Sequence, residues 1–404
     1  MSEKPHGRAA FAFIFVTVVL DMLALGVMIP VLPKLLVQFE NGDMASAARI
    51  SGVFSFIWAL MQFVFAPVLG ALSDRYGRRP LILLSNFGLG MDCILMAVAP
   101  TMSWLFLGRM ISGITAASVP TASAYIADVT PPEERAGKFG MLGAAFGLGF
   151  IVGPAFGGLL GSYSLRAPFW AAALLSLTNA CYGFFVLPES LPPEKRSATF
   201  SWHAASPLGA LKFLRAVPAL LGLVAASFLY FLAHESLPSV FVLYTDFRYH
   251  WNEQTVGLCL AAVGVCSTLI SALLVGPAVK RLGERRAMIA GLLFGTAGFA
   301  VYGLASTGFA FMCGVPIMSL WALAGPSMQA LMSRQVAPEH QGQLQGALSS
   351  MRGICGMLGP LFFTQVFALA ISPTAPISLP GAPYLIAAAL IFCGLLTGER
   401  ATRA

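Results

Sequence analysis

The stretch Gly70-Ala-Leu-Ser-Asp-Arg-Tyr-Gly-Arg-Arg79 returns in altered form 206 residues later, as Gly276-Pro-Ala-Val-Lys-Arg-Leu-Gly-Glu-Arg285. The same offset relates Gly153-Pro154 to Gly359-Pro360. The offset is about half of the 404-residue chain. We therefore infer that the chain contains two copies of one structural unit.

The composition indicates a chain whose surface faces lipid. Hydrophobic residues make up 57% and charged residues only 10% of the sequence, whereas a soluble domain is about 25% charged. Twelve apolar runs are long enough to cross a bilayer, which takes about 20 residues. We predict an all-α membrane protein with twelve transmembrane helices in two pseudo-symmetric six-helix bundles, and two related halves of this kind indicate a transporter. The runs are 10–36, 50–72, 80–99, 103–127, 138–161, 167–187, 217–245, 255–279, 287–306, 308–332, 343–371 and 381–397.

The longest polar stretch separates the two halves. It predicts an N-terminal bundle at 1–187, a cytoplasmic linker at 188–216 and a C-terminal bundle at 217–404. The basic residues predict the orientation, because Lys and Arg concentrate in cytoplasmic loops. If both termini are cytoplasmic, the outer segments hold only Lys34, Arg49, Arg166 and Arg248. The net charge of +7 is then mainly a topology signal, and we expect no nucleic-acid partner.

The loop between the second and third spans predicts a charge-linked latch. Its glycines, Gly70 and Gly77, permit a tight reversal, and Asp74 can cap a helix start. Its arginines can pair with Asp128 at the inner end of the fourth span and release it during a conformational change. The alternative is a plain turn that obeys the positive-inside rule. The loop arginines are Arg75, Arg78 and Arg79.

A few ionisable residues lie within predicted spans. A charge at the centre of a bilayer costs about 3 kcal/mol on insertion scales, so such residues are candidates for function. A carboxylate among apolar groups can carry a proton, and histidine titrates near neutral pH. The alternative for each is a structural hydrogen bond between helices. These residues are Asp21, Asp92, Arg109, His234, Glu235 and Arg352.

Three motifs resemble those of the major facilitator superfamily. They are the loop described above, the run Gly140-x8-Gly149-x3-Gly153-Pro154-x2-Gly157-Gly158, and Leu107-Gly108-Arg109-x3-Gly113. The glycine run resembles the antiporter motif of that superfamily. The arginine of the third motif is linked to proton coupling in the family.

A closer resemblance is to the tetracycline-resistance efflux proteins. It is carried by Tyr125-Ile-Ala-Asp128, Phe146-Gly-Leu-Gly149, Arg248-Tyr-His-Trp251, Leu282-Gly-Glu-Arg-Arg286 and Ser333-Arg-Gln-Val336 followed by Gln341-Gly-Gln-Leu-Gln-Gly346. The resemblance implies a drug:proton antiporter of the bacterial inner membrane. It also implies that the drug can travel as a metal chelate.

The residues and the resemblance together give three groups of candidate site residues. For proton coupling we expect Asp21, Asp92, Arg109, Glu235 and His234. For substrate binding we expect Gln62, Asp21, Asp92, Tyr230, Phe231 and Arg352. For gating we expect Gly70, Asp74, Arg75, Gly77, Arg78, Arg79, Asp128, Gly149, Gly153, Pro154, Gly157 and Gly158.

The chain departs from the resemblance in the ninth span, and it also carries Glu235 in the seventh span and Arg352 in the eleventh. The tetracycline exporters carry an aspartate in the ninth span, where this chain has Gly295. His234 and Glu235 are adjacent and point about 100° apart on a helix, so the sequence leaves open which of them faces a cavity.

We predict a proton-coupled exporter of tetracycline-like or other amphiphilic drugs that works by alternating access. The alternatives are a proton-coupled importer of a small solute and a membrane receptor without transport. The sequence has no catalytic constellation, so we expect no enzyme. We expect no resident cofactor, with the proton as coupling ion and Mg²⁺ carried only with substrate. The expected partners are a small-molecule drug, protons and the lipid bilayer.

Overall fold

The computed structural model describes residues 5–196, 220–337, 340–373, 375 and 378–403. Twelve helices in this part of the chain are long and apolar enough to span a membrane, which confirms the predicted fold class. The predicted linker lies outside the described residues beyond Arg196, as does the start of the predicted seventh run. The helices are α1 (Phe11–Phe39), α2 (Met44–Tyr76), α3 (Arg78–Val98), α4 (Met102–Val129), α5 (Glu133–Tyr163), α6 (Ala167–Val186), α7 (Leu221–Tyr249), α8 (Glu253–Leu282), α9 (Glu284–Leu304), α10 (Gly308–Arg334), α11 (Gln341–Ala370) and α12 (Ala382–Ala401).

Many of the largest apolar side chains remain exposed on these helices. Phe185 is 78%, Leu174 69% and Phe309 81% exposed. A soluble protein rarely leaves so many large apolar side chains in water. Their exposure fits a surface that is covered by the hydrocarbon of a bilayer.

Helices α1, α4, α7 and α10 are interrupted within their spans. The helical backbone of α1 stops at residues 29–31, and that of α7 stops at Glu235. α4 is interrupted at residues 116–117, and α10 contains a 3₁₀ turn at Leu320–Leu323. The repeat offset of 206 relates the first pair of breaks to each other, and likewise the second pair. Interrupted spans are typical of ligand sites in transporters, because they free backbone groups inside the membrane.

The chain forms two compact units. Unit 1 comprises Met1–Leu35, Ile57–Ala205 and Asn252–Ala261. Unit 2 comprises Leu36–Phe56, Ser206–Trp251 and Ala262–Ala404. Each unit is built mostly from one half of the sequence, but α2 and α8 each contribute residues to both. The boundaries drawn from the sequence remain a prediction.

Unit 1 has an apolar core formed by α1, α3, α4 and α5. Ile14, Ile82 and Tyr125 are almost completely inaccessible within it. The Tyr125 hydroxyl donates a hydrogen bond of 3.0 Å to the backbone oxygen of Pro188, so its one polar group is satisfied. This core positions the middle of α1 beside the interruption of α4.

Unit 2 has an aromatic core. The rings of Tyr302 and Phe311 stack with their centroids 4.1 Å apart. Tyr244 packs edge-on against Tyr384, and its hydroxyl donates to the backbone oxygen of Tyr302 at 2.8 Å. Aromatic pairs of this geometry add about 1 kcal/mol each beyond the area that they bury.

A side chain caps the N-terminus of α2. The carboxylate of Asp43 accepts hydrogen bonds from the backbone N–H groups of Ala45 and Ser46, at 3.0 and 3.1 Å. The Ser46 hydroxyl donates to the same carboxylate at 2.7 Å. These bonds, first that of the Ser46 hydroxyl, hold the pKa of Asp43 below its usual value. Asp43 is thus the N-terminal cap of the helix.

Candidate functional site

A cavity of about 270 Å³ lies within unit 1. Its wall is formed by α1, by both sides of the α4 interruption and by α2, α3 and α5. Most of the lining is apolar, so a few polar groups decide what it can bind. The predicted substrate residues Asp21 and Gln62 are among these polar groups, together with Ser85, Ser112, Thr115 and Ser118.

Asp21 is the carboxylate of this cavity. It is only 4% exposed and accepts a hydrogen bond from the Ser118 hydroxyl, which stands at the first residue after the α4 break. None of the ion pairs found within the described residues involves Asp21. A buried carboxylate with a neutral partner is costly to ionise, so this group can hold a proton.

Asp92 and Arg109 form a buried ion pair. The Arg109 guanidinium donates to Oδ2 of Asp92, which is completely buried, and Arg109 itself is 9% exposed. Oδ1 of Asp92 has no hydrogen-bond partner within the described residues. Neither residue lines the cavity. The structure therefore separates two acids that the sequence grouped together: Asp21 faces a cavity, and Asp92 is neutralised by a cation.

Gly108 explains how the pair fits. A side chain at position 108 would collide with Oδ1 of Asp92, because a Cβ there would stand 2.5 Å from that oxygen. The glycine just before Arg109 thus makes room for the carboxylate. The glycine of the Leu107-Gly108-Arg109 motif is therefore required by packing, which the spacing of the motif did not reveal.

His234 and Glu235 point to different helices of unit 2. The His234 ring lies 5.7 Å from the ring of Trp321 on α10 and is exposed. Glu235, at the break of α7, faces α11, where Cβ atoms at Gly356 and Gly359 would approach its side chain. The structure thus assigns each residue a direction, which the sequence left open.

The other substrate candidates of unit 2 cluster around the same part of α7. The Arg352 guanidinium lies over the Phe231 ring at 4.7 Å from its centroid. Tyr230 contacts Phe231 at 5.5 Å and Trp321 at 4.5 Å between centroids. The structure brings Tyr230, Phe231 and Arg352 together and adds Trp321 as a central member.

The ion pair that the predicted latch requires is present within unit 1. Arg78 pairs with Asp74 at 2.5 Å and with Asp128 at 3.1 Å. Arg75 instead lies over the ring of its neighbour Tyr76, and Arg79 donates to the backbone oxygen of Phe184. Of the three loop arginines, Arg78 is the one that the described contacts join to Asp128.

Two details of the predicted loop were wrong. Gly70 lies inside helix α2 with open space around it, so it does not form the reversal. The reversal is at Gly77 alone, whose φ of 108° is a conformation that suits glycine. Asp74 is in the last turn of α2 and does not cap α3. Glu189 does so, since its carboxylate accepts from the backbone N–H groups of Arg78 at 2.8 Å and Arg79 at 3.3 Å.

The glycine motif of α5 is a surface of close helix contact. Side chains at Gly149, Gly153 and Gly157 would collide with α1, at Met22, Gly26 and Val27 respectively. Gly158 faces the start of α8, at Glu253 and Gly257, inside unit 1. The missing side chains let the helix backbones approach closely. At Pro154 the glycine is on the partner helix, because the backbone oxygen of Pro154 lies against Gly257.

With the site described, the chain can be compared with known proteins. A family model described as Major Facilitator Superfamily matches residues 14–360, with a second match at 240–402. The chain belongs to the Major Facilitator Superfamily. It is therefore a secondary transporter and not an enzyme, and a multi-pass membrane protein.

Two relatives of this superfamily member are similar over most of their length. The chain is 40% identical to the class C tetracycline resistance protein of Escherichia coli, over 90% of this chain and 91% of the relative. It is 38% identical to the class G protein of Vibrio anguillarum, over 89% and 91%. The fold matches that of the human organic anion transporter MFSD10 with a TM-score of 0.70 at 24% identity, covering 98% and 100% of the two chains.

Sequence reasoning missed three residues of the transporter. Glu189 follows Pro188 at the end of α6 and lies too far along the chain to be linked to the loop that it caps. Nothing in the sequence distinguishes Ser118 from other small residues, and only the break in α4 places it beside Asp21. Trp321 gave no signal in the sequence, because only the structure places it against Gly295.

Proposed function

We propose that this transporter exports tetracycline-like or other amphiphilic drugs in exchange for protons, by alternating access. The observation that carries the proposal is Asp21, a carboxylate buried in the wall of a cavity with only a hydroxyl as partner. The names of the relatives, as tetracycline resistance proteins, support the drug class.

Asp21 would be the group that exchanges proton for drug. When protonated, it is neutral and its burial costs little. A drug that presents a positive group or a hydrogen-bond donor in the cavity stabilises the ionised carboxylate and drives the proton off. When the drug leaves on the other side of the membrane, the Asp21 carboxylate takes up a proton again. The two ligands thus compete for one carboxylate, which couples their movements in opposite directions.

The Asp92–Arg109 pair would have a different role. A buried ion pair is costly to break from one side, because the remaining charge is left uncompensated. It holds α3 and α4 together beside the cavity while Asp21 titrates. We expect Asp92→Asn to damage folding and transport together, and Asp21→Asn to damage transport alone.

The basic residues support a placement with both termini in the cytoplasm of a bacterial inner membrane. In that orientation the loop at Gly77 is cytoplasmic. Among the described residues, no group of three or more His, Cys, Asp and Glu side chains could hold a metal ion. In this proposal Mg²⁺ would cross only as part of a tetracycline chelate, as cargo.

The test uses the purified full chain in liposomes with an internal pH dye and a proton gradient. Tetracycline with Mg²⁺ and, in parallel, ethidium are added, and proton and drug fluxes are recorded. We expect drug-triggered proton movement in the wild type, and its loss in Asp21→Asn. Asp43→Asn is the matched control, because asparagine can also cap a helix and Asp43 is not among the residues that line the cavity.

Two outcomes would overturn the proposal. If Asp21→Asn transports and couples as the wild type does, Asp21 is not the exchange group. If solute and protons move in the same direction, the chain is an importer, the alternative that the sequence left open.

A further inference from the structure

The residues that line the unit 1 cavity have counterparts in unit 2 that differ in their chemistry. The repeat offset of 206 maps residues that line the unit 1 cavity onto residues of unit 2, and several of those residues contact one another. The correspondences are Leu25 to Phe231, Ile29 to Glu235, Leu89 to Gly295, Thr115 to Trp321, Phe146 to Arg352 and Phe150 to Gly356.

The contacts show that this counterpart is one cluster in space. Arg352 covers Phe231, and Glu235 Oε1 lies 3.8 Å from where a Cβ at Gly356 would stand. The Trp321 ring lies against Gly295, because a Cβ at Gly295 would stand 2.5 Å from its Cδ1 and 2.9 Å from its Nε1. The internal repeat therefore places a second potential site at the breaks of α7 and α10.

Trp321 fills space that Thr115 leaves open in unit 1. Thr115 lines the unit 1 cavity and packs against Gly88 of α3. Trp321 stands at the equivalent place on the 3₁₀ turn of α10 and packs against Gly295 of α9. A carboxylate at position 295, which the resemblance implied, would collide with this indole. Trp321 and an acid at 295 are thus alternatives for the same volume.

The unit 2 cluster presents rings and a cation. Trp321 backs Tyr230 and His234, with centroid distances of 4.5 and 5.7 Å. His234 and Arg352 are exposed, whereas Trp321 is 5% exposed. No ion pair found within the described residues involves Arg352. An exposed guanidinium beside a cluster of aromatic rings suits a planar aromatic ligand that bears an anionic oxygen.

The indole nitrogen is a second, independent sign of a ligand. Nε1 of Trp321 is buried and has no hydrogen-bond acceptor within the described residues. A buried tryptophan N–H normally finds a partner, since leaving it unpaired is unfavourable. A ligand oxygen that reaches the edge of the indole ring would satisfy it.

We propose that Trp321, seated against Gly295, is a specificity-determining residue of a unit 2 subsite that binds planar aromatic ligands carrying a carboxylate or enolate oxygen. Trp321 and Tyr230 hold the ring system, and Arg352 binds the anionic edge. The inference rests on the proposed function in that an exported drug is the ligand. It does not rest on proton coupling or on Asp21.

The experiment measures equilibrium binding to the purified full chain in lipid nanodiscs, without a proton gradient. The probes are naphthoate and naphthylmethylammonium, which share a ring system and differ in the sign of the charge. We expect naphthoate to bind the wild type more tightly. Trp321→Leu should weaken the binding of naphthoate about tenfold, which corresponds to the loss of one aromatic contact. Trp321→Phe should weaken it about threefold, because the indole N–H is lost. Arg352→Gln should weaken naphthoate and spare the ammonium probe.

Two controls protect the result from a folding defect. Trp170→Leu removes an exposed indole of α6 and should leave both affinities unchanged. Gly295→Ala pushes the Trp321 ring from the opposite side and should weaken naphthoate as well, whereas Gly276→Ala, which has open space around it, should not. Thermal unfolding identifies variants that are misfolded.

The proposal is overturned if the wild type binds naphthoate no more tightly than naphthylmethylammonium. It is also overturned if Trp321→Leu and Trp170→Leu have the same small effect in folded protein. A failure of the proposed function gives a different pattern, in which naphthoate binding depends on Trp321 but neither tetracycline nor ethidium moves protons in liposomes.

Discussion

The loops at Gly77 and Gly283 occupy equivalent places in the two units, yet their ion pairs have opposite polarity. In unit 1, Arg78 at the start of α3 pairs with Asp128 near the end of α4. In unit 2, Glu284 at the start of α9 pairs with Arg334 at the end of α10, at 2.7 Å. Each pair is related to the other by the offset of 206, with acid and base exchanged.

The helix dipole distinguishes the two arrangements. An acid at a helix N-terminus and a base at a C-terminus are favourable, and the reverse is unfavourable. Unit 2 has the favourable arrangement, with Glu284 and Arg334. Unit 1 has the reverse, with Arg78 and Asp128, and adds Glu189 at the start of α3 to supply the missing negative charge. The offset leads from Glu189 to Leu395, so unit 2 has no acid there.

Exposure sharpens the difference. The Arg78 side chain is 12% exposed and contacts two acids, whereas the Arg334 side chain is 75% exposed and contacts one. The unit 1 loop is a network of several charges in which each member depends on the others. Within the described residues, the unit 2 loop has a single ion pair whose arginine is exposed, so water and salt weaken it. We infer that a latch function resides in unit 1.

The largest expected effect is that of Arg78→Ala. Its removal leaves Asp74 and Asp128 as neighbouring acids without their shared cation. We expect a loss of about 3 kcal/mol in unfolding free energy, as for a mostly buried pair broken from one side, and at least a tenfold loss of transport. Thermal unfolding and drug flux in liposomes measure the two. Equal losses in Arg78→Ala and Arg334→Ala would contradict the comparison.

Gly77→Ala and Gly283→Ala form the next test. Both positions have positive φ, 108° and 78°, so alanine costs about 1 kcal/mol of backbone strain at each. Only at Gly77 would the new Cβ also collide with the Glu189 carboxylate. We expect Gly77→Ala to lower the unfolding free energy by about 2 kcal/mol and Gly283→Ala by about half of that. Identical melting temperatures for the two variants would mean that Glu189 does not hold the loop.

Glu189→Gln should have a smaller effect. The amide oxygen still accepts one backbone N–H, but the charge that compensates Arg78 at the start of α3 is lost. The expected cost is about 1 kcal/mol, from the charge–dipole interaction and one weakened hydrogen bond. Glu194→Gln is the control, because Glu194 is exposed on the same segment. Thermal unfolding of both variants at low salt measures the difference. A melting temperature of Glu189→Gln equal to that of the wild type would argue against a capping role.

The smallest effect is expected for Glu284→Gln. Exposed ion pairs contribute about 0.5 kcal/mol or less, and this one is screened by salt. The free energy of unfolding should fall by no more than that amount, and the transport rate should stay within twofold of the wild type. A large transport defect in Glu284→Gln would show that unit 2 also carries a latch.

Much of the fold was predictable because lipid imposes a strong pattern on sequence. Twelve apolar runs predicted twelve helices, since no other element of that length satisfies its backbone in hydrocarbon. The repeat offset predicted equivalent landmarks, and the helix breaks occur at that offset. The pairing of Arg78 with Asp128 was also predictable, from opposite charges at the same end of neighbouring spans.

The sequence by itself determined the class of the protein, its two repeats and the scarce charged residues inside the membrane. Hydropathy is local along the chain, so it can be read without coordinates. Only the tertiary structure decided that Asp21 faces a cavity while Asp92 pairs with Arg109, and that Trp321 takes the space beside Gly295. Those outcomes depend on which residues from distant helices meet, and helix packing is decided by shape and volume rather than by hydropathy.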